Sequence, residues 1–263
     1  MITAGIDCGT KTTKTIILKD GNIIGKGTVL TGSDREKAVE HSLNKAVRAA
    51  GIAREAIART GGTGSGKDSI KLADEIVTDI KAMGKGANFF FPTVRTVVDV
   101  GAEEGRAARI DEKGNPIDFV VNEKCAAGAG IFIEAMARAL EVAVEEMGPL
   151  SLQSDRKIPM NAQCVVFAES EVVGLIHAQT DKPDICRAIH DSMAGRIATL
   201  IRRIGVSADI AMLGGVGRNS GFIASLRREL KIEKILIPDE PEYGAAVGAA
   251  VGAAVAAAEE TCC

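Results

Sequence analysis

The feature that most constrains this chain is a short pattern that occurs twice, 92 positions apart (99 − 7). Asp7 and Asp99 each end an apolar run, and a glycine follows each of them two positions later, before a second run carries the chain back. Apolar runs on either side of a glycine turn are typical of two strands joined by a tight turn. The sequence therefore predicts two copies of one strand-turn-strand unit.

Each predicted turn has residues suited to holding phosphate. The first contains Gly9, Thr10, Lys11, Thr12, Thr13 and Lys14, and the second contains Gly101, Ala102 and Glu103. Backbone N–H groups and hydroxyls approach phosphate oxygens closely in such turns, while Lys11 or Lys14 supplies positive charge. Asp7 and Asp99 are suited to holding Mg²⁺ through water. Duplicated halves that clamp one nucleotide are the simplest interpretation.

A third glycine-rich segment follows the predicted strand Ile210–Leu213. Gly214 and Gly215 come directly after that strand, and Asn219 lies just before a predicted helix. Paired glycines between a strand and a helix let the backbone pack against a flat ring or a sugar. We therefore expect Gly214, Gly215 and Asn219 to contact the nucleoside part of the ligand.

The segment Gly61–Lys67 matches the spacing of a P-loop, GxxxxGK. The next residue is Asp68, where that motif needs Ser or Thr to ligand Mg²⁺. The preceding residues, Ala53–Arg59, are charged and helix-forming rather than a buried strand. These departures favour a connecting loop near the nucleotide over a P-loop.

The net charge, the absence of a signal-peptide pattern and the cysteine content limit the kinds of partner and the cell compartment expected for this chain. The net charge is −3, which gives no basic surface for nucleic acid or an anionic membrane. The chain begins with a strand-like run rather than a signal peptide, and the small-apolar run 244–258 is short for a bilayer span, so we expect a cytoplasmic protein.

Six cysteines without a CxxC pair indicate thiols or metal ligands rather than disulfides. Cys8 and Cys186 are interpreted as buried small apolar residues.

Apolar periodicity and turn residues predict alternating strands and helices. The predicted elements include a strand at Asn22–Leu30, a helix from a cap at Ser33 or Asp34 to Ala50, helices at about Asp68–Met83, Ile131–Leu140, Asp184–Ile204 and Gly221–Leu230, and a last strand at Lys234–Ile237. Gly61–Gly66 is predicted as a loop. This order is typical of an α/β fold with mixed sheets.

The three phosphate and adenosine segments, in this order, resemble the superfamily of acetate kinase, sugar kinases, Hsp70 and actin. That resemblance implies two RNase H-like domains that close on ATP, which we place at residues 1–95 and 96–263, with the C-terminal helix allowed to return to the first. Within the superfamily, Asn122–Gly130 and Gln163–Glu171 closely resemble the ATPase activators of benzoyl-CoA reductases and 2-hydroxyacyl-CoA dehydratases. The likeness extends over nearly the whole chain.

The resemblance implies an ATP-driven electron donor that uses ATP/ADP with Mg²⁺. It also implies a [4Fe–4S] cluster shared by two subunits, to which each chain gives two cysteines, here Cys125 and Cys164. Reduced ferredoxin or flavodoxin would refill the cluster, and an acyl-CoA reductase or dehydratase module would receive the electron. Cys125 precedes a glycine-rich helix start, where unpaired N–H groups favour the thiolate that iron requires.

One segment departs from the pattern of the homodimeric activators. Their second phosphate segment reads Asp-Ile-Gly-Gly-Gln-Asp, whereas here Ala102 replaces a glycine and Glu103 replaces the glutamine that handles the attacking water. The variant resembles the small ATPase subunit (delta type) of ATP-dependent benzoyl-CoA reductase, which pairs with a paralogous subunit. Glu103 could act as a base or slow hydrolysis by repelling the γ-phosphate.

Our main expectation is therefore an electron-activating subunit of a benzoyl-CoA reductase, paired with a paralogue. A homodimeric activator of a 2-hydroxyacyl-CoA dehydratase, paired with a second copy of itself, is the alternative in the same family. A small-molecule kinase of the superfamily or a non-catalytic ATP sensor are alternatives of another class. The sequence assigns no role to Cys262 and Cys263.

Overall fold

A computed structural model of the chain describes residues 1–122, 130–160, 164–207 and 209–261. The chain divides into two compact units. Unit 1 comprises Met1–Val97, Ile110–Ile117 and Tyr243–Cys263, and unit 2 comprises Val98–Arg109 and Asp118–Glu242. The domain boundary placed between residues 95 and 96 stays a prediction.

Strands and helices are interspersed along the described residues, in runs of up to three strands and four helices. In chain order they are β1 (Ile2–Cys8), β2 (Thr12–Lys19), β3 (Asn22–Leu30), α1 (Arg35–Ala50), β4 (Arg59–Thr63), β5 (Glu75–Ile76), α2 (Asp79–Phe90), β6 (Thr96–Val100), β7 (Gly105–Ile110), β8 (Pro116–Asn122), α3 (Gly130–Ala139), α4 (Val144–Ser151), α5 (Val165–His177), α6 (Lys182–Ile204), β9 (Ile210–Leu213), α7 (Ser220–Leu230) and α8 (Gly244–Thr261). This is a mixed α/β fold.

The first sheet has the strand order β3-β2-β1-β4-β5. Strands β1, β2 and β3 pair antiparallel, whereas β1 pairs parallel with β4, and β4 with β5. Because side chains alternate across a strand, β2 sends Ile17 to a core with Leu43 of α1 and sends Ile16 to a core with Ala246 and Ala250 of α8. Helices therefore cover both faces of this sheet.

The second sheet has the strand order β8-β7-β6-β9. The core of unit 2 is built around α6, which is buried along one stripe. Ile185, Ile189, Met193, Ile197 and Ile201 recur every four residues and are each 0% exposed. That spacing puts them on one face of a helix, where they pack against residues of the neighbouring helices and strands.

Local signals predicted several elements correctly. Strand β3 has the predicted bounds, and α1 begins after Asp34, whose carboxylate accepts a hydrogen bond from the Lys37 amide. The helix ends at Gly51, which has φ of 64°. Cys8 and Cys186 are fully buried, as predicted. Burial raises the pKa of both thiols, that of Cys186 to about 11.

The prediction for residues 61–83 was wrong. Arg59–Thr63 forms strand β4 in the middle of the first sheet, and the predicted helix at 68–83 is replaced by a short 3-10 turn, β5 and the start of α2 at Asp79. A Cβ on Gly61 would lie 2.2 Å from the Ala249 carbonyl oxygen of α8. Glycine is required there by a packed helix rather than by a loop.

Two smaller predictions also need correction. Helix α6 begins at Lys182 after Asp181 rather than at Asp184, whose carboxylate instead accepts hydrogen bonds from Ser154 and Arg156. Lys234–Ile237 contributes only a single bridge, Ala211 with Leu236, among the described residues. In the part of the chain that the structure describes, no helix combines the length and hydropathy needed to cross a membrane.

A buried histidine in α6 predicts a pH-dependent stability. His190 is 0% exposed, and burial lowers its pKa from 6.5 to about 4, with Asp191 opposing the shift and Arg228 adding to it. The unfolded chain binds the proton first, so the free energy of unfolding should fall as the pH drops from 6.5 to 4, by about 3 kcal/mol in total. Urea unfolding followed by far-UV circular dichroism at half-unit pH steps measures it.

The slope, rather than the absolute stability, identifies the histidine. His190→Gln should flatten the pH dependence between 4 and 6.5, whereas the same change at the exposed His41 should keep it. The lowered pKa of Asp191 acts below pH 4, outside this window. A slope that survives His190→Gln would assign the proton uptake to another group.

Candidate functional site

The first predicted turn is built at the ends of β1 and β2. Asp7 lies directly opposite Lys14 in the antiparallel register, and the lysine Nζ is 3.0 Å from Asp7 Oδ2. Both side chains are mostly buried, at 13% and 12% exposed. The Gly9 amide donates to the Thr12 carbonyl oxygen at 3.2 Å and closes the turn. We call residues 9–12 the first loop.

A second segment of unit 1 lies against this loop. Gly64, the residue after β4, has φ of 95°, and a Cβ there would lie 2.5 Å from Asp7 Oδ1. The Gly66 amide donates to the Cys8 carbonyl oxygen at 2.8 Å, and the hydroxyls of Thr10 and Ser65 are 3.3 Å apart. The segment that resembles a P-loop thus forms one wall of the first loop.

The second predicted turn repeats this arrangement at β6 and β7. Asp99 is 9% exposed, and Arg106, seven positions later as Lys14 is from Asp7, has its Nη1 atom 3.6 Å from Asp99 Oδ2. The Gly101 amide donates to the Glu104 carbonyl oxygen at 2.9 Å. We call residues 101–104 the second loop.

The second loop also has a glycine of a distant segment against its carboxylate. Gly214 follows β9, has φ of 84°, and a Cβ there would lie 2.5 Å from Asp99 Oδ1 and 2.2 Å from the Val100 carbonyl oxygen. Its amide donates to the Pro241 carbonyl oxygen at 2.9 Å. Gly64 and Gly214 therefore occupy equivalent positions beside the carboxylates of Asp7 and Asp99.

Each loop fits a phosphate with a magnesium ion in the same way. A mostly buried carboxylate lies one residue before the end of a strand, a cation lies beside it, and a glycine backbone approaches it with no side chain in between. Carboxylate oxygens are the protein ligands that Mg²⁺ prefers, usually with water retained. The amides of Gly9 and Gly101 donate hydrogen bonds within their own turns. These two glycines therefore shape the loops rather than donate to a ligand.

Some predicted contacts are directed elsewhere. Thr13 faces away from Lys14, is fully buried, and its hydroxyl bonds with Thr31 at 3.0 Å and Cys8 Sγ at 3.6 Å. Asn219 caps α7, its Oδ1 accepting from the Phe222 amide at 3.0 Å. The Thr13 hydroxyl thus serves packing and the Asn219 side-chain carbonyl oxygen serves capping, while the nucleotide contacts expected of both residues stay predictions. Lys11, Glu103 and Gly215 are exposed.

The start of α3 is bonded to the second loop. The amides of Gly130 and Ile131 donate to the carbonyl oxygens of Gly101 and Ala102, each at 2.9 Å. These carbonyls are therefore occupied by the helix start. Cys125, five positions before Gly130, lies outside the described residues, as do Cys262 and Cys263.

Cys164 immediately precedes α5 and is half-buried. The helix that follows is unusually apolar on its outer side: Val166 is 66% exposed and Phe167 is 65% exposed. Within the described ranges, no group of three or more His, Cys, Asp and Glu side chains could hold a metal ion. An iron cluster on Cys164 would therefore need ligands beyond the described part of one chain.

Sequence reasoning assigned no role to Gly64 or Arg106. A signal for Arg106 was available, because a cation follows each aspartate by seven positions. Gly64 meets Asp7 only through the parallel pairing of β1 with β4, in which Asp7 lies opposite Thr63. That pairing is not encoded near Asp7 in the sequence.

Similarity to known proteins identifies the family of this chain. The model of the BadF/BadG/BcrA/BcrD ATPase family matches residues 4–253. The chain belongs to this ATPase family. The predicted family resemblance is therefore confirmed.

Proteins similar to this chain include activators and one component of a reductase. The chain is 36% identical to the 2-hydroxyisocaproyl-CoA dehydratase activator of Clostridioides difficile, covering 94% of this chain and 92% of that one. It is 37% identical to the activator of lactoyl-CoA dehydratase of Anaerotignum propionicum, covering 93% and 95%. A benzoyl-CoA reductase subunit of Thauera aromatica is 31% identical, covering 93% and 90%.

Solved structures confirm the fold class. Component A of the Acidaminococcus fermentans (R)-2-hydroxyglutaryl-CoA dehydratase has a TM-score of 0.94 at 36% identity, covering 98% of this chain and 99% of that one. The Clostridium difficile 2-hydroxyisocaproyl-CoA dehydratase activator with bound ADPNP has a TM-score of 0.92 at 36% identity, covering 99% and 97%. A Streptomyces griseus glucokinase, at 14% identity and a TM-score of 0.59, covering 97% and 100%, shares the fold alone. The predicted pair of actin-like ATPase domains is borne out.

Proposed function

We propose that this chain is the ATP-hydrolysing activator of a 2-hydroxyacyl-CoA dehydratase. The observation that carries the proposal is identity of 36% and 37% to two dehydratase activators along more than 90% of both chains. The reductase component, which the second loop had favoured, is less similar at 31%. The alternative of the sequence analysis thus becomes the leading proposal.

ATP with Mg²⁺ is the proposed substrate of the two loops. Asp7 and Asp99 would hold the metal through water, and the backbone and hydroxyls of Thr10 and Thr12 would approach the phosphates. The relative with bound ADPNP, similar over nearly its whole length, supports nucleotide binding here. Lys14 and Arg106 would balance the charge of the two carboxylates.

A [4Fe–4S] cluster is proposed at Cys125 and Cys164, completed by the same two residues of a second copy. When bound, it would supply one-electron chemistry at low potential. Cys164 suits this role because it is half-buried, whereas burial disfavours the thiolates of Cys8 and Cys186. The exposed Val166 and Phe167 support a protein partner on α5, since exposed apolar clusters mark contact surfaces.

The bonding between α3 and the second loop supports a coupling of nucleotide state to the cysteines. Gly130 and Ile131 follow Cys125 closely in the chain and donate to Gly101 and Ala102. A rearrangement of the second loop on hydrolysis would change those two bonds. We propose that reduced ferredoxin or flavodoxin supplies the electron and that a dehydratase module receives it.

Anaerobic iron and sulfide analysis with EPR tests the cluster. The purified chain should self-associate and bind about two irons per chain, because one [4Fe–4S] cluster serves two copies. Cys164→Ser should lose the iron. Cys186→Ala is the matched control, since Cys186 is buried against Met147 Sδ at 3.6 Å and should not bind iron. Iron retained in Cys164→Ser would contradict the assignment.

A small ATPase subunit of benzoyl-CoA reductase remains a second candidate, favoured by Ala102 and Glu103 in the second loop. Such a subunit would acquire its cluster only when co-expressed with a paralogous subunit. ATP turnover without iron under either condition would instead favour a kinase of the same fold. ATP binding without turnover would favour a sensor.

A further inference from the structure

Beside the second loop, one arginine lies against two carboxylates. Arg106 Nη1 is 3.6 Å from Asp99 Oδ2, and Nη2 donates to Glu104 Oε2. The arginine is 16% exposed, whereas Glu104 is 41% exposed. We propose that Arg106 is a positioning residue for ATP binding, which holds Glu104 aside from the phosphates while it balances Asp99. This inference rests on the proposed function.

The cation beside the first loop, Lys14, has different contacts from those of Arg106. Lys14 Nζ contacts Asp7 at 3.0 Å and the carbonyl oxygen of Thr12 at 3.4 Å. Thr12 follows its aspartate by five positions, as Glu104 follows Asp99. At matching positions, Arg106 therefore meets a carboxylate where Lys14 meets a backbone carbonyl oxygen. A guanidinium has a planar fork of donors that can serve two carboxylates, whereas an ammonium is a point charge.

The charge around the second loop explains why the fork matters. Asp99, Glu103 and Glu104 lie within six positions of one another, and a triphosphate is itself strongly anionic. Without Arg106, the half-exposed Glu104 would carry an unbalanced negative charge at the loop and would repel the ligand. Removing that charge as well should restore binding. The effect of losing Arg106 thus depends on Glu104.

A double-mutant cycle measures this dependence. The dissociation constant for ATP with Mg²⁺ is measured by calorimetry for the wild type, Arg106→Gln, Glu104→Gln and the double variant. Arg106→Gln should weaken binding about tenfold, equivalent to about 1.4 kcal/mol, and adding Glu104→Gln should recover most of it. A loss that is merely structural would not be recovered by removing a second side chain. Equal, weakened affinities of Arg106→Gln and the double variant would overturn the inference.

Arg109→Gln is the matched control. Arg109 lies on the same strand and also pairs with an aspartate, Asp118, at 3.7 Å, but away from the second loop. Its dissociation constant should stay within about twofold of the wild type. If Arg106→Gln shows no thermal unfolding transition, Arg106→Lys replaces it; a weakening of about threefold that Glu104→Gln removes is then expected, because the charge stays and the fork is lost.

The proposed function and the positioning role fail differently. A wild-type chain that does not bind ATP overturns the proposed function and the inference with it. A wild-type chain that binds ATP, with Arg106→Gln within about twofold of it, overturns the inference alone.

Discussion

Replacing Gly248 by alanine is expected to lower the free energy of unfolding by about 3 kcal/mol. Gly248 lies on α8 where this helix meets α2, and a Cβ there would lie 1.7 Å from the Ala82 carbonyl oxygen and 2.8 Å from the Gly86 amide nitrogen. These are backbone atoms, so no side-chain rotation relieves the clash, and the two helices must separate. Urea unfolding at neutral pH, followed by far-UV circular dichroism, measures the loss.

Gly195→Ala is the control for the same chemical change. Gly195 lies inside α6, and apart from the backbone of its own helix no described heavy atom is within 4 Å of the position its Cβ would take. Alanine is the better helix former, so this variant should gain up to about 1 kcal/mol. A Gly248→Ala protein that loses less than about 1 kcal/mol would show that the helices accommodate a methyl group.

The same close packing explains why apolar periodicity gave no bounds for the predicted C-terminal helix, α8. Its run of alanine, valine and glycine is apolar all round, so it lacks the single apolar stripe at helical spacing that identified α1. A Cβ on Gly86 would lie 2.0 Å from the Gly244 carbonyl oxygen, and one on Gly5 would lie 2.0 Å from that of Ala246. Small residues are needed at these positions because backbone atoms that are distant in sequence lie close to them.

Strand β4 was missed for a related reason. Gly61 and Gly62 were predicted to lie in a loop, because glycine weakens a strand by its conformational entropy. In the structure, these positions pair with β1, and the absence of a side chain at Gly61 admits the backbone of α8. Elements with a local signal, such as β3 and α1, were predictable in their bounds, whereas β4, which is defined by close backbone contact, was not.

The residues of the candidate site also divide into those with a local sequence signal and those without one. Asp7 and Asp99 were identified because each lies in a repeated local pattern, and their cations lie within the same pattern. Thr13 was grouped with its neighbours, but alternation along β2 turns its hydroxyl to the buried side. Gly64 depends on a parallel pairing between distant strands, which no local pattern announces.

Asp7→Asn and Asp99→Asn are each expected to lower kcat for ATP hydrolysis by about 100-fold, equivalent to about 2.7 kcal/mol. Asparagine keeps the size of the side chain and one acceptor oxygen but loses the charge that balances Lys14 or Arg106 and that we propose holds Mg²⁺. Phosphate release under saturating ATP and Mg²⁺ measures kcat, and thermal unfolding confirms that the variants are folded.

The matched control is Asp118→Asn, the same substitution at a carboxylate that pairs with Arg109 at 3.7 Å on the edge strand β8. It should hydrolyse ATP at the wild-type rate. Because the two loops match in carboxylate, cation and approaching glycine, we expect losses of similar size at Asp7 and Asp99. A folded Asp7→Asn or Asp99→Asn variant with the wild-type rate would exclude that carboxylate from the reaction, and a large loss at one position alone would show that the shared geometry serves two different tasks.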